Sequence, residues 1–300
     1  MRKDKKYKGI IVPAITPLRT DFRLDEGAVE KIFASFYQHK ISPFILGTTG
    51  ESASLSLSLK EAYVKKAVSL KQDKTILYAG ISSNCLEESV DFAKFCFDKG
   101  VDAVATTLPS YYALSESQMK RYFIDLADGV KAPVIIYNIP ATTHMSIPVE
   151  LIDELSHHPY IVATKDSERS EERLTKSLEM WKDRSDFGHF LGWAAKSATG
   201  LIGGSDGLIP STGNIAPHIY STMLDAVDSN DHAKAFDMQQ LSDAWGDLYQ
   251  KGKTLGESLW ALKVLMKEKG LCEAVVMPPL QPMSNEEQIK LIQSLKEIEK

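Results

Sequence analysis

Two side chains have the types and the setting for covalent carbonyl chemistry. Lys165 ends the run YIVATK, in which four of the five preceding residues are apolar. Lysine is among the residues least often fully buried, so it either reaches water there or has a task at the mouth of a core. Tyr137 stands near the end of a second such run, PVIIYN (133–138). If the two runs are neighbouring parallel strands, the amine and the phenol come close together. Desolvation disfavours the charged form of lysine. The neutral amine can attack a ketone to give a Schiff base, whose protonated imine draws electrons from the adjacent C–C bond. A phenol beside it can carry protons to and from that carbon. A third stretch, GTTGES (47–52), sets Thr48 and Thr49 between Gly47 and Gly50. Such a turn can aim successive N–H groups at an anion, and a carboxylate is the natural guest.

Each feature has a plainer alternative. Lys165 could snorkel or pair with Asp166, Tyr137 could be a core aromatic, and GTTGES could be an ordinary strand-to-helix turn. Strand alternation, however, puts Asp166 on the face opposite Lys165, where it would help start the next helix. Tyr111 and Tyr112, in LPSYY, read as loop residues marking an interface or a lid, or as bland loop tyrosines.

The elements that must position these residues alternate along the chain. Short apolar runs occur at 9–16, 43–46, 75–80, 102–107, 133–138, 160–165, 187–192 and 207–212. They are β-branched and lack polar alternation, which suits parallel strands buried on both faces. Amphipathic stretches between them predict helices over 25–39, 59–71, 86–99, 115–129, 148–156, 168–181 and 194–201. Ser58, with Glu61 three residues on, reads as the N-cap of the second. Eight such units predict an α/β fold, a (β/α)8 TIM barrel over 1–214, with a doubly wound sheet as the alternative. Helices alone are expected from 215 to 300, at 215–228, 231–250, 254–269 and 285–299, as a C-terminal helical appendage.

Composition narrows the function classes. The 300 residues are 43% hydrophobic and 25% charged, with net charge −5. No sustained basic stripe points to nucleic acid, and the basic start MRKDKKYK reads as a solvated tail. No run approaches the ~18 apolar residues of a membrane span. Cys85, Cys96 and Cys272 form no CxxC and suit reduced thiols in the cytoplasm. There is no HxH or HExxH, and His189 reads as a satisfied core residue rather than a metal ligand.

GTTGES, the PSYY loop, YNIP, the strand-end TKD and GLIPSTGN follow one another at spacings that resemble the pyruvate-dependent class I aldolases, the family of dihydrodipicolinate synthase and N-acetylneuraminate lyase. The resemblance runs from about Gly9 to the last helices. It implies that Lys165 forms the Schiff base with pyruvate and that Tyr137 shuttles protons. Thr48 would link Tyr137 to the relay, and Thr49 would hold the pyruvate carboxylate beside Gly47. Ile209 would lie alongside bound pyruvate. Tyr112 would enter a neighbouring subunit's site, implying a homodimer or homotetramer. No metal or organic cofactor is implied. Two departures bear on the aldehyde partner. The position at which dihydrodipicolinate synthases place an arginine is Thr142, and Gly192 is followed by Trp193, Ala194 and Ala195 rather than an acidic pair. A 2-keto-3-deoxy sugar acid or sialic-acid-type substrate is therefore expected. Dihydrodipicolinate synthesis from aspartate semialdehyde, a dehydratase and a non-catalytic member of the fold are the alternatives.

Overall fold

The computed structural model describes residues 5–299. Strand and helix alternate in order: β1 (Gly9–Pro13), α1 (Glu26–Gln38), β2 (Ser42–Ile45), α2 (Leu57–Ser69), β3 (Tyr78–Gly80), α3 (Leu86–Lys99), β4 (Ala103–Thr106), α4 (Glu116–Val130) and β5 (Val134–Asn138). A short α5 (Pro140–Thr143) and α6 (Val149–Leu155) lead to β6 (Ile161–Asp166), α7 (Glu171–Trp181), β7 (Gly188–Leu191), α8 (Ser197–Ile202) and β8 (Gly207–Leu208). The eight strands close a parallel barrel in sequence order, the expected (β/α)8 architecture. After β8 come α9 (Pro217–Asp228), α10 (His232–Gln250), α11 (Leu255–Glu268) and α12 (Asn285–Ile298). Among the described residues no helix is long and apolar enough to cross a membrane.

Local chemistry sets the helix ends. Asp25 caps α1 by accepting from the Ala28 N–H, and Ser115 and Gln118 form a reciprocal capping box on α4. Gly100 stops α3 at φ +112°, a backbone that favours glycine. The cap of α2 is Ser56, which accepts from the Leu59 N–H, so the helix begins two residues before the predicted Leu59 and Ser58 is not its cap. β8 is shorter than its apolar run because Ser211–Asn214 coil into a 3-10 turn.

Two apolar layers result. Inside the barrel, Phe44, Tyr78 and Phe190 pack against the small side chains of Ala103, Ala105 and Ala163. Outside, the helices bury a much larger set against the strands. One irregularity decides what the interior presents. Between β5 and β6 the register slips by one residue: Val134 faces Ile161, but Ile135 faces Ala163. A one-residue slip inverts which face a side chain takes. Beyond it Tyr137 pairs with Lys165 and Asn138 with Asp166.

The basic start is a correction to the sequence reading. Residues 1–4 lie outside the described residues, but Lys5 and Tyr7 are buried rather than solvated. Tyr7 joins the interior layer. Lys5 Nζ donates to the Phe187 carbonyl at 2.9 Å and to Asp206 at 2.7 Å, closing the end of the barrel where the strands begin.

Candidate active site

The opposite end gathers the candidate residues. Lys165 Nζ lies 3.8 Å from the centroid of the Tyr137 ring and 5.1 Å from that of Phe44. Lys165 is 3% exposed, and among the described residues no carboxylate is within ion-pair distance of it. Asp166, its neighbour in sequence, is engaged elsewhere. Its carboxylate accepts from Arg173 Nε at 2.6 Å, from Asn138 Nδ2 at 3.1 Å and from the Glu168 N–H at 2.9 Å. Burial pushes the Asp166 carboxyl up, against the pull of Arg173. Asp166 thus faces away from Lys165, as expected, but it ties down α7 through Arg173 while Ser170 supplies the cap.

Tyr137 OH meets Thr48 Oγ1 at 3.4 Å. Burial alone would raise the phenol, but the adjacent Lys165 charge and bonding to Thr48, Lys165 and Ser167 together bring it below its usual value. A phenol tuned downward is better matched to proton transfer near neutrality. Ser167 was not among the predicted residues, although it lies two positions beyond Lys165. Its room depends on Gly192, where a Cβ would fall 2.1 Å from Ser167 Oγ.

The GTTGES turn is tightly drawn. The Gly50 N–H donates to the Gly47 carbonyl and the Glu51 N–H to the Thr48 carbonyl, each at 3.0 Å. Gly80 lets β3 approach its start, since a Cβ there would meet the Leu46 carbonyl oxygen at 2.1 Å. Thr49 is buried.

A cavity of about 790 Å³ runs outward from Phe44, Thr48 and Tyr137. Gly47, Thr107, Thr142 and Thr143 line it, and among the described residues no arginine does. Ile209 sits below, in the interior layer. Tyr112 does not line this cavity; it is exposed and packs edge-on against Tyr111 with ring centroids 4.9 Å apart. Among the described residues no cluster of His, Cys, Asp or Glu could hold a metal ion.

Two further contributors were missed in the sequence. Leu255 and Leu259 place α11 in the cavity wall, so the C-terminal helices help shape the site. Glu51 forms an ion pair with Lys263 of α11, both side chains fully buried. A lysine within the apolar run LWALKVLM was the available signal.

This geometry has known counterparts. A model of the dihydrodipicolinate synthetase family matches residues 6–298. The chain belongs to that family. Its members are class I lyases, and this chain is an enzyme of that class. Over 98% of both chains it is 31% identical to a protein of Thermofilum pendens named an uncharacterized DapA-like lyase. It is 29% identical to the 4-hydroxy-tetrahydrodipicolinate synthase of Methanosarcina acetivorans, over 97% of this chain and 98% of that one. The dihydrodipicolinate synthase structure from Bacteroides thetaiotaomicron superposes with a TM-score of 0.91 at 25% identity, covering 99% of this chain and all of the other.

Proposed function

We propose that the chain joins or parts pyruvate and an aldehyde through a Schiff base on Lys165, with a polyhydroxy 2-oxo acid as the larger substrate. The observation that carries this is the buried Lys165 amine set 3.8 Å from the Tyr137 ring centroid, with its neighbouring acid bonded to Arg173. In the cleavage direction the amine adds to the substrate's 2-oxo carbon and water leaves. Tyr137 then takes the proton of the C4 hydroxyl as the C3–C4 bond breaks into the iminium, giving an enamine and a free aldehyde. Proton return to C3 and hydrolysis release pyruvate and the amine. Thr48 orients the phenol, and Thr49 with the N–H groups after Gly47 receives the carboxylate. Ile209 supports bound pyruvate from below.

The choice of a polyol rests on the cavity wall. Thr142 stands where an anionic aldehyde would need a guanidinium, and among the described residues no arginine lines the cavity, Lys60 being a cation elsewhere in its wall. The second reading, condensation with aspartate semialdehyde, is favoured by relatives such as the Methanosarcina acetivorans synthase. Exposed Tyr112 suits the reading that it completes the site of a second copy of the chain in a homodimer or homotetramer.

Borohydride added with pyruvate is expected to leave a reduced adduct on the Lys165 peptide, visible by mass. An unmodified wild type, or the same adduct in Lys165→Ala, would overturn the reading. Pyruvate release from 2-keto-3-deoxy sugar acids and sialic acid, set against consumption with aspartate semialdehyde, separates the two substrates.

A further inference from the structure

The turn that would receive the carboxylate is held from the far side by an arrangement that the chemistry at Lys165 does not use. Glu51 closes the turn in a left-handed backbone, φ +56°, which a residue with a side chain rarely adopts. Its carboxylate is fully buried and paired with the fully buried ammonium of Lys263. The second carboxylate oxygen accepts from the Met277 N–H at 2.7 Å. Lys263 Nζ also donates to the Val275 carbonyl at 2.6 Å. One acid of the turn is therefore gripped by α11 and by the segment that follows it.

Burying an ion pair gives little net stability compared with well-packed apolar side chains. A packing role alone would be met as well by a leucine and a methionine. What the pair adds is direction. A carboxylate held by the Met277 N–H on one oxygen and by the Lys263 ion pair on the other fixes where Glu51 sits, although the second contact lacks hydrogen-bond geometry, and the Glu51 N–H bond to the Thr48 carbonyl, 3.0 Å, passes that position to Thr48. Thr48 in turn meets Tyr137 at 3.4 Å. Leu255 and Leu259, on the same helix as Lys263, line the cavity, so α11 is bound to the site on two counts.

The geometry points to Lys263 as a positioning residue that acts through Glu51 on the Thr48–Thr49 turn and so sets the affinity for the substrate's carboxylate. The inference rests on the Schiff-base reading above. It separates two properties that a general loss of stability would not separate: how much pyruvate is needed, and whether Lys165 reacts once pyruvate is present.

The experiment is borohydride trapping across a range of pyruvate concentrations, with the Lys165 adduct read by mass and the melting temperature measured alongside. Lys263→Met leaves the Glu51 carboxylate buried beside only the Met277 N–H. The half-saturating pyruvate concentration should rise about tenfold, the loss expected when one charge-assisted hydrogen bond to the ligand is misaligned. At saturation the adduct should still form in full. An unchanged half-saturating concentration, whatever happens to the melting temperature, overturns the proposal. If Lys263→Met does not fold, Glu51→Gln carries the same test, since the amide keeps an acceptor for Met277 but loses the ion pair. A rise of about threefold or more supports the proposal, and a wild-type value overturns it. Failure of the wild type to trap pyruvate at any concentration would instead defeat the Schiff-base reading itself.

Discussion

The two ends of the barrel each bury a lysine, and they treat it in opposite ways. At the end where the strands begin, Lys5 is bound to Asp206 at 2.7 Å and to a backbone carbonyl. At the other end, Lys165 faces the rings of Tyr137 and Phe44, and the nearest acid in sequence is bound to Arg173. A buried lysine bonded to its acid is a structural part of the fold. A buried amine beside a phenol, with the acid turned away, is available to react. Lys263 follows the first pattern, paired with Glu51. The paired acid, not burial, separates the other two lysines from the reactive one.

The largest expected effect breaks the comparison at the mouth. Lys165→Met should abolish pyruvate trapping and lower turnover by more than about 10³-fold, as loss of a covalent nucleophile does. Its melting temperature should stay the same or rise, because active sites commonly give up stability for function. A collapse of the fold would mean that Lys165 behaves like Lys5. Next in size, Tyr137→Phe should still trap pyruvate but turn over about 10²- to 10⁴-fold more slowly, the range of a lost general acid–base. An unchanged rate would place the proton relay elsewhere.

At the other end the expected effect is on stability alone. Lys5→Met leaves the Asp206 carboxylate, among the described residues, accepting only from the His189 N–H, at 2.8 Å. Stripping one partner from a buried pair costs about 3–5 kcal/mol, and the partial exposure of Asp206 reduces this to about 2–3 kcal/mol. Chemical denaturation should show that loss, while the folded fraction still traps pyruvate with wild-type half-saturation. A changed half-saturation would mean that the two ends are coupled.

The sequence made one of these lysines legible and hid the others. Lys165 ends an apolar run with Tyr137 at the matching place one strand away, so short-range pattern was enough to find it. The parity that turns it inward was not legible. It depends on the register slip at Ile135 and Ala163, which two strands create jointly and neither sequence announces. Lys5 lay in a basic, charge-dense segment whose composition resembles a solvated tail, and its acid is 201 positions away. Lys263 likewise finds Glu51 only after the barrel closes and α11 packs on it. The helices were well placed by caps such as Gly100. The short α5 at Pro140–Thr143, which carries Thr142 into the cavity wall, lay inside what read as a strand-end loop.

The last prediction sharpens the floor of the barrel through its histidine. His189 is buried with Nδ1 on Ser205 Oγ at 3.2 Å, its ring 5.7 Å from that of Trp181, and no hydrogen-bond partner on Nε2 among the described residues. Burial drives it down to about 4, with Lys5 and Arg173 adding to the shift and Asp206 opposing it. The unfolded chain therefore takes up this proton near pH 6.5, before the folded protein does. Stability from the neutral ring is complete above about pH 6.5 and is lost progressively as pH falls toward 4, by up to ~3 kcal/mol. His189→Asn should flatten that part of the stability–pH curve. Imine trapping should be unaffected at neutral pH, because His189 packs against α7 rather than into the cavity. Denaturant titrations of both proteins at pH 7, 6, 5 and 4 give the comparison. An equal slope in the two would show that other groups carry the acid sensitivity. A variant with altered trapping at pH 7 would show that the mouth responds to changes at the floor.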